Sequence, residues 1–386
     1  MLRNLILVTT FVLASGTLAL AKTVTVQPPT DGSNALNAGV EQLEDGDTLV
    51  IEKGLYTGNL LLTNLNDITV VAKKGVVVVT RPGLATLLVS GCANISLSKL
   101  DLTSNTANVV TISNSQNVTL SRCVLAGGTS SGARVFRSSD VLFDKCTITG
   151  GTAGVSINEA QAVTISRCRL IGQQSGVAVD VAPASSGVVV SRNRVSQSSG
   201  YGISIGSGDA SIERNKLIEC AGGIELLADA QDCVVERNKI VKTSAQHGIS
   251  VLSGRALVTR NQVRKTRGNG VMVAASARDV TLERNSIRAA AKNGLAVLAD
   301  GTIVRQNKST SSVQTGFLVA ADACTWERNG TLGAGQNGFQ VTHSGCTFTK
   351  NRGQRSYGFD LQSTTPRSVN EFVANRFGIT SFPFEN

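Results

Sequence analysis

Asparagine residues recur at nearly constant spacing through the second half of this 386-residue chain. Successive asparagines are separated by 22 to 24 residues, and three cysteines extend the same column toward the N-terminus at intervals of 23 and 22 residues. A fixed period in this range is typical of a solenoid, in which each period forms one coil that stacks on its neighbours. The column consists of Cys123, Cys146, Cys168, Asn193, Asn215, Asn238, Asn261, Asn285, Asn307, Asn329, Asn351 and Asn375.

Two short apolar frames accompany the column in nearly every period. The first frame places apolar residues two positions apart before the asparagine and one apolar residue after it, as in Val188, Val190, Asn193 and Val195. The second frame begins with glycine and continues with alternating apolar residues, as in residues 248–251. Apolar residues at positions i and i+2 predict short strands with one buried face. The segments between the frames are too short for crossover helices, so the chain must coil.

These frames and the asparagine column resemble the right-handed parallel β-helix proteins of the pectin-lyase-like superfamily. The resemblance extends over roughly residues 30 to 375 and implies an all-β fold, a single right-handed parallel β-helix of about 13 coils with 22–25 residues each. In that family the asparagines form an inward-pointing ladder that bonds from coil to coil. The segment from Ala35 to Tyr56 resembles the family's N-terminal cap, a short helix followed by a turn into the first strand. The fold alone does not define an activity.

Residues 1–21 have the features of a signal peptide. Arg3 supplies a positive charge, residues 5–14 form an apolar run, and residues 19–21 form a small-residue cleavage site. We therefore expect a secreted or periplasmic protein whose mature chain, residues 22–386, is one β-helix domain with caps at about 30–56 and 370–386. No later apolar run is long enough to span a bilayer, so no membrane association is expected after cleavage.

The eight cysteines do not have the pattern of a disulfide framework. Three of them occupy the asparagine column, and Cys233, Cys324 and Cys346 occupy the first apolar position of the preceding strand. Both positions should point inward, so we expect small buried apolar residues. A Cys324–Cys346 bridge between neighbouring coils is the alternative. No Cys or His spacing typical of a metal site occurs, and the sequence predicts neither a metal nor another cofactor.

A cation precedes the column residue in eleven of the twelve coils between Lys99 and Lys350. Five of these cations follow an acidic residue, which leaves six net positive charges in the stripe, out of a formal +10 for the chain. Such a row can attract a linear polyanion, whereas the alternative is an ion-paired, solvated face with a structural role only. We expect an acidic, uronate-containing polysaccharide rather than nucleic acid, because no aromatic residues alternate with the cations to stack bases. The predicted substrate-binding residues are Arg192, Arg214, Arg237, Arg260 and Arg284.

The strand after the glycine has apolar residues at outward positions, including Met272, Leu298 and Leu318. Monomers seldom expose a large apolar patch, so this stripe predicts coverage by the C-terminal tail or by a second copy of the chain, which would make the protein a homo-oligomer. Asp180 and Glu225 are expected at unrelated heights along the solenoid. The sequence therefore offers no carboxylate cluster for a Ca²⁺ site.

The candidate catalytic residues are His247, Arg267, Lys292 and Glu225, which enter the second strand from neighbouring turns. A metal-independent lyase or C5-epimerase needs a cation to neutralise the uronate carboxylate and a base for the C5 proton. Arg267 or Lys292 fits the first role, and His247 fits the second, with Glu225 one coil away to bias its protonation. The alternative for His247 is an exposed turn residue without a chemical role.

The sequence thus predicts an exported β-helix protein that binds or processes an acidic polysaccharide, with lyase or epimerase chemistry as the enzymatic form. The alternative class is a non-catalytic binding or assembly scaffold of the periplasm or the extracellular space.

Overall fold

A computed structural model describes residues 21–30, 34–79, 84–105, 107–173 and 176–383. The predicted signal peptide falls almost entirely on residues 1–20, outside this described part. The chain forms three parallel sheets of 16, 15 and 15 strands that run along one solenoid, and each coil contributes one strand to each sheet. The predicted all-β parallel β-helix is confirmed, but it has about 15 coils rather than about 13. The first coils lack the asparagine column, which is why counting that column underestimates them.

The strands follow one another in the repeating order sheet 1, sheet 2, sheet 3. Sheet 1 contains Thr23–Val26, Thr48–Ile51, Thr69–Ala72, Ala93–Ser98, Gln116–Ser121, Ser139–Asp144, Thr164–Ser166, Val189–Ser191, Ser211–Glu213, Val234–Glu236, Leu257–Thr259, Thr281–Glu283, Ile303–Arg305, Thr325–Glu327, Thr347–Thr349 and Glu371–Val373. Sheet 2 contains Gly54–Thr57, Val76–Val79, Asp101–Ser104, Val124–Gly127, Thr147–Thr149, Arg169–Ile171, Arg194–Ser196, Lys216–Ile218, Lys239–Val241, Gln262–Arg264, Ser286–Arg288, Lys308–Thr310, Gly330–Leu332, Arg352–Gln354 and Arg376–Phe377. Sheet 3 contains Leu60–Thr63, Leu87–Ser90, Val110–Ser113, Ser131–Phe136, Ala153–Asn158, Val179–Val181, Tyr201–Ile205, Gly222–Leu226, Ile249–Val251, Val271–Val273, Leu295–Val297, Phe317–Val319, Phe339–Val341, Leu361–Ser363 and Thr380–Ser381.

The turn from sheet 1 to sheet 2 holds the asparagine column. Its first residue adopts a left-handed backbone, for example φ 55° at Arg237, and its second residue points into the core. Asn238 donates through Nδ2 to the Ile212 carbonyl at 2.8 Å and to Asn261 Oδ1 at 3.1 Å. Its Oδ1 accepts the backbone N–H of Asn215 at 2.9 Å. Each amide therefore links three coils and satisfies turn groups that would otherwise be buried without partners.

Cysteines continue this ladder toward the N-terminus. The Cys168 N–H donates to Asn193 Oδ1 at 2.8 Å, and the Cys146 N–H donates to Cys168 Sγ at 3.3 Å. Cys146 Sγ also donates to the Leu120 carbonyl at 3.4 Å, as an asparagine amide does elsewhere. All eight cysteines are buried and free, so Cys324 and Cys346 are not bridged. Within the column, a thiol thus acts as a weak donor or acceptor at a position that an amide occupies in later coils.

The glycine of the second frame lies at the corner between sheets 2 and 3. A Cβ atom at Gly248 would lie 2.3 Å from Cγ1 of Val263, and one at Gly270 would lie 2.3 Å from Cγ2 of Ile287. Inward side chains of sheet 2 fill this corner. Only glycine lets the chain pass so close to them.

Different elements cover the two ends of the core. At one end, helix α1 (Ala35–Val40) packs Leu36 onto the first coil. At the other end, Phe372 stacks on Phe348 at 4.8 Å and Phe377 contacts Phe339 at 5.2 Å, after a single 3₁₀ turn at Arg367–Val369.

The aromatic tail thus lies on the last coils and does not reach Met272 or Leu298, so the prediction that it covers the apolar stripe is wrong. Phe384, also part of that prediction, lies outside the described residues. Within the described part, no helix combines the length and apolar character needed to cross a membrane.

Candidate functional site

The outer face of sheet 3 carries one outward side chain per coil in a single column, because its strands pair in register. Asp180 pairs with Ser204, Ser204 with Glu225, and Glu225 with Ser250. We call these four residues the polar segment. Ser204 and Ser250 are buried, whereas Asp180 and Glu225 are half-buried. The two acidic residues, expected at unrelated heights, therefore share one column with a single coil between them, about 10 Å apart at Cα.

Burial changes the chemistry of both carboxyl groups. Desolvation raises the pKa of Asp180 and that of Glu225, and among the described residues neither group has a cationic partner within salt-bridge distance. A carboxylate with a raised pKa is a stronger base than an ordinary surface carboxylate. Groups shifted in this way and gathered on one face are typical of functional sites.

Tyr201 lies beside the polar segment and crosses to the next coil. A Cβ atom at Gly222 would lie 2.4 Å from both Cδ1 and Cε1 of Tyr201, so the missing side chain makes room for the ring. Burial and the charge of Glu225 raise the pKa of Tyr201 to about 12, while the Ser250 side chain and the His247 backbone near its oxygen lower it. Tyr201 is therefore a neutral phenol at neutral pH. Its position joins the polar segment to the turn that carries His247.

His247 is held in one protonation state by its neighbours. The backbone N–H of Asn269 donates to His247 Nδ1 at 3.0 Å, so Nδ1 carries no proton and the neutral ring carries it on Nε2. Burial first, and the charge of Lys292 second, lower the pKa of His247. The imidazole is thus a neutral Nε2–H donor, whereas the base predicted from sequence would need a free ring nitrogen.

The same contact makes His247 the first member of a second ladder on the turns between sheets 2 and 3. Asn269 Oδ1 accepts the N–H of Asn293 at 3.1 Å, and Asn293 Oδ1 accepts the N–H of Thr315 at 3.2 Å. His247 Nδ1 takes the equivalent place one coil earlier. The ring orientation is therefore fixed by the backbone of the next coil.

The four predicted catalytic residues lie around this face in different ways. Glu225 belongs to the polar segment, and His247 borders it through Tyr201. Lys292 is exposed on the turn two coils beyond His247 and close enough to affect its pKa. Arg267 is exposed in a shallow groove of about 380 Å³ that Lys242 and Lys265 also line. The structure therefore places Lys292 near His247, links Glu225 to the His247 turn through Tyr201, and leaves Arg267 in the groove on the other side of that turn.

The predicted substrate-binding arginines lie elsewhere, on the turns between sheets 1 and 2. Several are already paired with carboxylates: Arg237 and Arg260 contact Glu236 at 3.3 and 2.8 Å, and Arg284 contacts Glu283 at 3.3 Å. Arg192 and Arg214 make no ion pair with any described residue. The arginine stripe and the candidate catalytic residues do not form one site.

Beyond Ser250 the outward column of sheet 3 becomes apolar. Ser250 pairs with Met272, Met272 with Ala296, and Ala296 with Leu318. We call Met272, Ala296 and Leu318 the apolar segment. Leu298 beside it is 37% exposed. Among the residues that the structure describes, no three His, Cys, Asp or Glu side chains converge as a metal-binding group.

Sequence reasoning missed Tyr201, Asp180 and Ser250 as parts of one site. Their proximity depends on strand register, which the sequence of one coil does not contain. Gly222 was a signal for this site in the sequence. It is a glycine at a position where the following coils have the larger residues His247, Asn269 and Asn293.

The chain matches the model of a protein family described as "Right handed beta helix region" over residues 76–217 and 182–331, more than half of its length. It belongs to this β-helix family. The predicted right-handed fold and the predicted family resemblance are therefore confirmed. No curated protein sequence matches the β-helix chain.

Solved structures with the same fold include two tailspikes and a lyase. The Dettilon tailspike protein has a TM-score of 0.51 and 13% identity, over 92% of this chain and 68% of that one. Tailspike protein 3 of bacteriophage CBA120 has a TM-score of 0.57 and 10% identity, over 91% and 60%. The alginate lyase AlyF-OU02 has a TM-score of 0.50 and 13% identity, over 95% and 88%. At such identities the likeness shows a shared fold alone.

Proposed function

We propose that this β-helix protein binds an acidic, uronate-containing polysaccharide across the outer face of sheet 3 and acts on it as a lyase or C5-epimerase. The supporting observation is the meeting of Tyr201, Glu225 and His247, three groups with shifted pKa values, beside the polar serines. The existence of an alginate lyase with the same fold agrees with this substrate class.

Each group has a defined role in the proposed elimination. The Glu225 carboxylate takes the C5 proton, while the Nε2–H of His247 and the charge of Lys292 stabilise the uronate carboxylate as negative charge develops. The electron pair of the C5–H bond forms the C4–C5 double bond, and the C4–O bond to the neighbouring sugar breaks. Tyr201 gives its phenolic proton to the leaving oxygen and regains one from water, while Glu225 releases the C5 proton to water, so that no net proton is gained or lost.

Epimerisation uses the same groups with one difference. The C4–O bond stays intact, and C5 receives a proton on the opposite face of the ring. We assign the supply of that proton to Tyr201, and the proximity of its hydroxyl to Ser250 and to the backbone of His247 supports this assignment. In both reactions His247 is a donor rather than the base predicted from sequence, and Arg267 serves as a cation in the neighbouring groove.

We further propose that the protein acts after export, as the N-terminal sequence predicts. Mass spectrometry of the protein recovered outside the cytoplasm should give a chain that begins at Lys22. A chain that keeps residues 1–21 in the cytoplasm would contradict export.

The test of function is turnover of defined polymers. Mature protein is incubated with alginate, pectate and a glycosaminoglycan, unsaturated uronates are followed by absorbance, and inversion at C5 is followed by NMR. We expect product from one polymer, loss of product with Glu225→Gln and with Tyr201→Phe, and retention with the control Gln340→Ala, which lies in the same column beyond the apolar segment. Binding without product from any polymer would favour the non-catalytic alternative.

A further inference from the structure

A second row of cations runs beside the predicted arginine stripe, at the first outward position of sheet 2. Consecutive strands pair Arg169 with Arg194, Arg194 with Lys216, and Lys216 with Lys239. The row is continuous over four coils, because the coil before it has Thr147 and the coil after it has Gln262 at the same position. Coils in such a stack are about 4.8 Å apart.

The local backbone places this row next to the turn stripe. In each coil a left-handed turn residue is followed by a buried ladder residue and then by the strand cation, as in Arg192, Asn193 and Arg194. The two cations point outward on either side of the inward side chain. We call the resulting surface the ridge; it consists of the turn residues Arg167, Arg192, Arg214 and Arg237 and the strand residues Arg169, Arg194, Lys216 and Lys239.

All eight ridge side chains are exposed, and few of them are neutralised. Arg167 pairs with Asp144 at 2.6 Å, and Arg237 pairs with Glu236 at 3.3 Å. The other six make no ion pair with a described residue. No ion pair with a described residue offsets the repulsion between these six like charges, and a bound anionic chain along the helix axis would reduce it.

The rest of the surface determines which polyanion fits. The neighbouring outward positions of the same strands hold Ile171, Ser196, Ile218 and Val241, so the ridge has no aromatic ring on which a base could stack. A polysaccharide with a carboxylate on successive sugars needs only regularly spaced cations. It can also make contacts with the aliphatic side chains between them.

We propose that the ridge is a binding surface for an acidic polysaccharide that lies parallel to the solenoid axis, separate from the outer face of sheet 3. The choice of a carboxylated sugar polymer rests on the proposed function, but binding at the ridge does not require turnover. The ridge would hold the polymer close to the protein while another stretch of it, or another chain, reaches the polar segment.

The test compares two triple variants with equal loss of charge. The ridge variant is Arg194→Gln, Lys216→Gln and Lys239→Gln. The control is Lys308→Gln, Arg352→Gln and Arg376→Gln, which changes the same strand position in later coils, where Gly330 separates Lys308 from Arg352. Binding of polygalacturonate is measured at low and physiological salt. We expect the ridge variant to bind at least about tenfold more weakly, with a shallower salt dependence, and the control to stay within about twofold of the parent.

Two further arms separate this proposal from the proposed function. In the Glu225→Gln background, polymer binding should persist and should still be lost in the ridge variant. Equal losses in the ridge variant and the control would reduce the effect to overall charge and overturn the proposal, whatever the outcome for turnover. If single-stranded DNA binds the parent as tightly as polygalacturonate does, and this binding is lost in the ridge variant, the choice of a polysaccharide is overturned.

Discussion

The polar and apolar segments of sheet 3 occupy equivalent positions on the same backbone and carry opposite chemistry. In the polar segment, Glu225 is half-buried between two serines and has a raised pKa. In the apolar segment, Met272 pairs directly with Ser250 and is followed only by alanine and leucine. Strand spacing and register do not change at the boundary.

This difference shows that, within each coil, one set of residues determines the fold and another set determines the surface chemistry. The inward residues of sheets 1, 2 and 3 and the ladder amides fix the coil, and the outward residues of each strand decide what the face can do. The boundary between Ser250 and Met272 is therefore a change of chemistry without a change of fold.

The largest expected effect comes from removing the base of the polar segment. Glu225→Gln keeps the shape of the side chain but cannot accept the C5 proton, so turnover should fall by about 100-fold or more. Ser250→Met tests the boundary itself, since it extends the apolar segment by one coil and removes the hydroxyl next to Tyr201. Both are measured as initial rates on the polymer that gives product. Unchanged rates in both variants would place the chemistry elsewhere.

The second prediction tests whether the two segments share one scaffold. Asn215 lies in the coil of Glu225, Asn307 lies in the coil of Leu318, and both donate to the previous coil, at 2.7 and 2.9 Å, and to the next ladder amide. Replacing either by alanine should cost about 1–3 kcal/mol of unfolding free energy, because buried turn groups lose their partners. Gln116→Ala, at an exposed side-chain contact with Asp140, is the control and should change little. Denaturant unfolding followed by circular dichroism measures all three; unequal losses at Asn215 and Asn307 would mean that the coils are not equivalent.

The third prediction concerns the apolar segment, which remains a predicted contact for a second copy of the chain. Leu298 is 37% exposed beside it, whereas Met272 and Leu318 are already half-buried, so the area left to bury is small. Changing all three residues to glutamine should weaken self-association by roughly tenfold, about 1.4 kcal/mol. Sedimentation velocity over a range of concentrations measures this. A parent protein that stays monomeric at every concentration would remove the prediction.

The smallest expected effect is a pH-dependent loss of folding stability, caused by the burial of the carboxyl groups of the polar segment. Raised folded-state pKa values at Asp180 and Glu225 mean that their contribution to stability is full below the unfolded values, near 3.8 and 4.5, and is lost as pH rises through the folded values. The double variant Asp180→Asn, Glu225→Gln should therefore melt on the order of 1–3 °C higher than the parent at pH 7. At about pH 3 the variant and the parent should melt at the same temperature. His247 has the opposite sign, because its lowered pKa makes stability fall as pH drops through the unfolded value of about 6.5. A double variant that melts lower than the parent at pH 7 would contradict the burial cost assigned to these carboxylates.

The fold was predictable because its determinants repeat. One asparagine and one glycine per coil, each with its apolar neighbours, recur often enough to define the period, the strands and the direction of coiling. The site was only partly predictable, because it is made of exceptions to that repeat. The ring of Tyr201 occupies space left by Gly222 in the next coil. The contribution of either residue therefore cannot be predicted from its own coil alone.

His247 is the clearest example of a site residue whose chemical role was not predicted from the sequence. From sequence it is a histidine beside a glycine and several cations, which suits a base. Its role depends on the backbone N–H of Asn269, one coil later, which takes up Nδ1 and turns the ring into a donor. The spacing of His247, Asn269 and Asn293 marks equivalent positions in successive coils, but the protonation state of the ring follows from the contact that the structure shows.

The ladder also has a mechanical consequence. Each buried amide or thiol binds only the coils next to it, so the cohesion of the solenoid is a sum of nearest-neighbour links. Tension applied at the C-terminus would therefore peel off one coil at a time, and each event along the ladder would release 22 to 25 residues, roughly 80 Å of extended chain. A force–extension record should show a regular sawtooth, in which the weaker thiol links of Cys123, Cys146 and Cys168 yield at lower force than the asparagine coils before them.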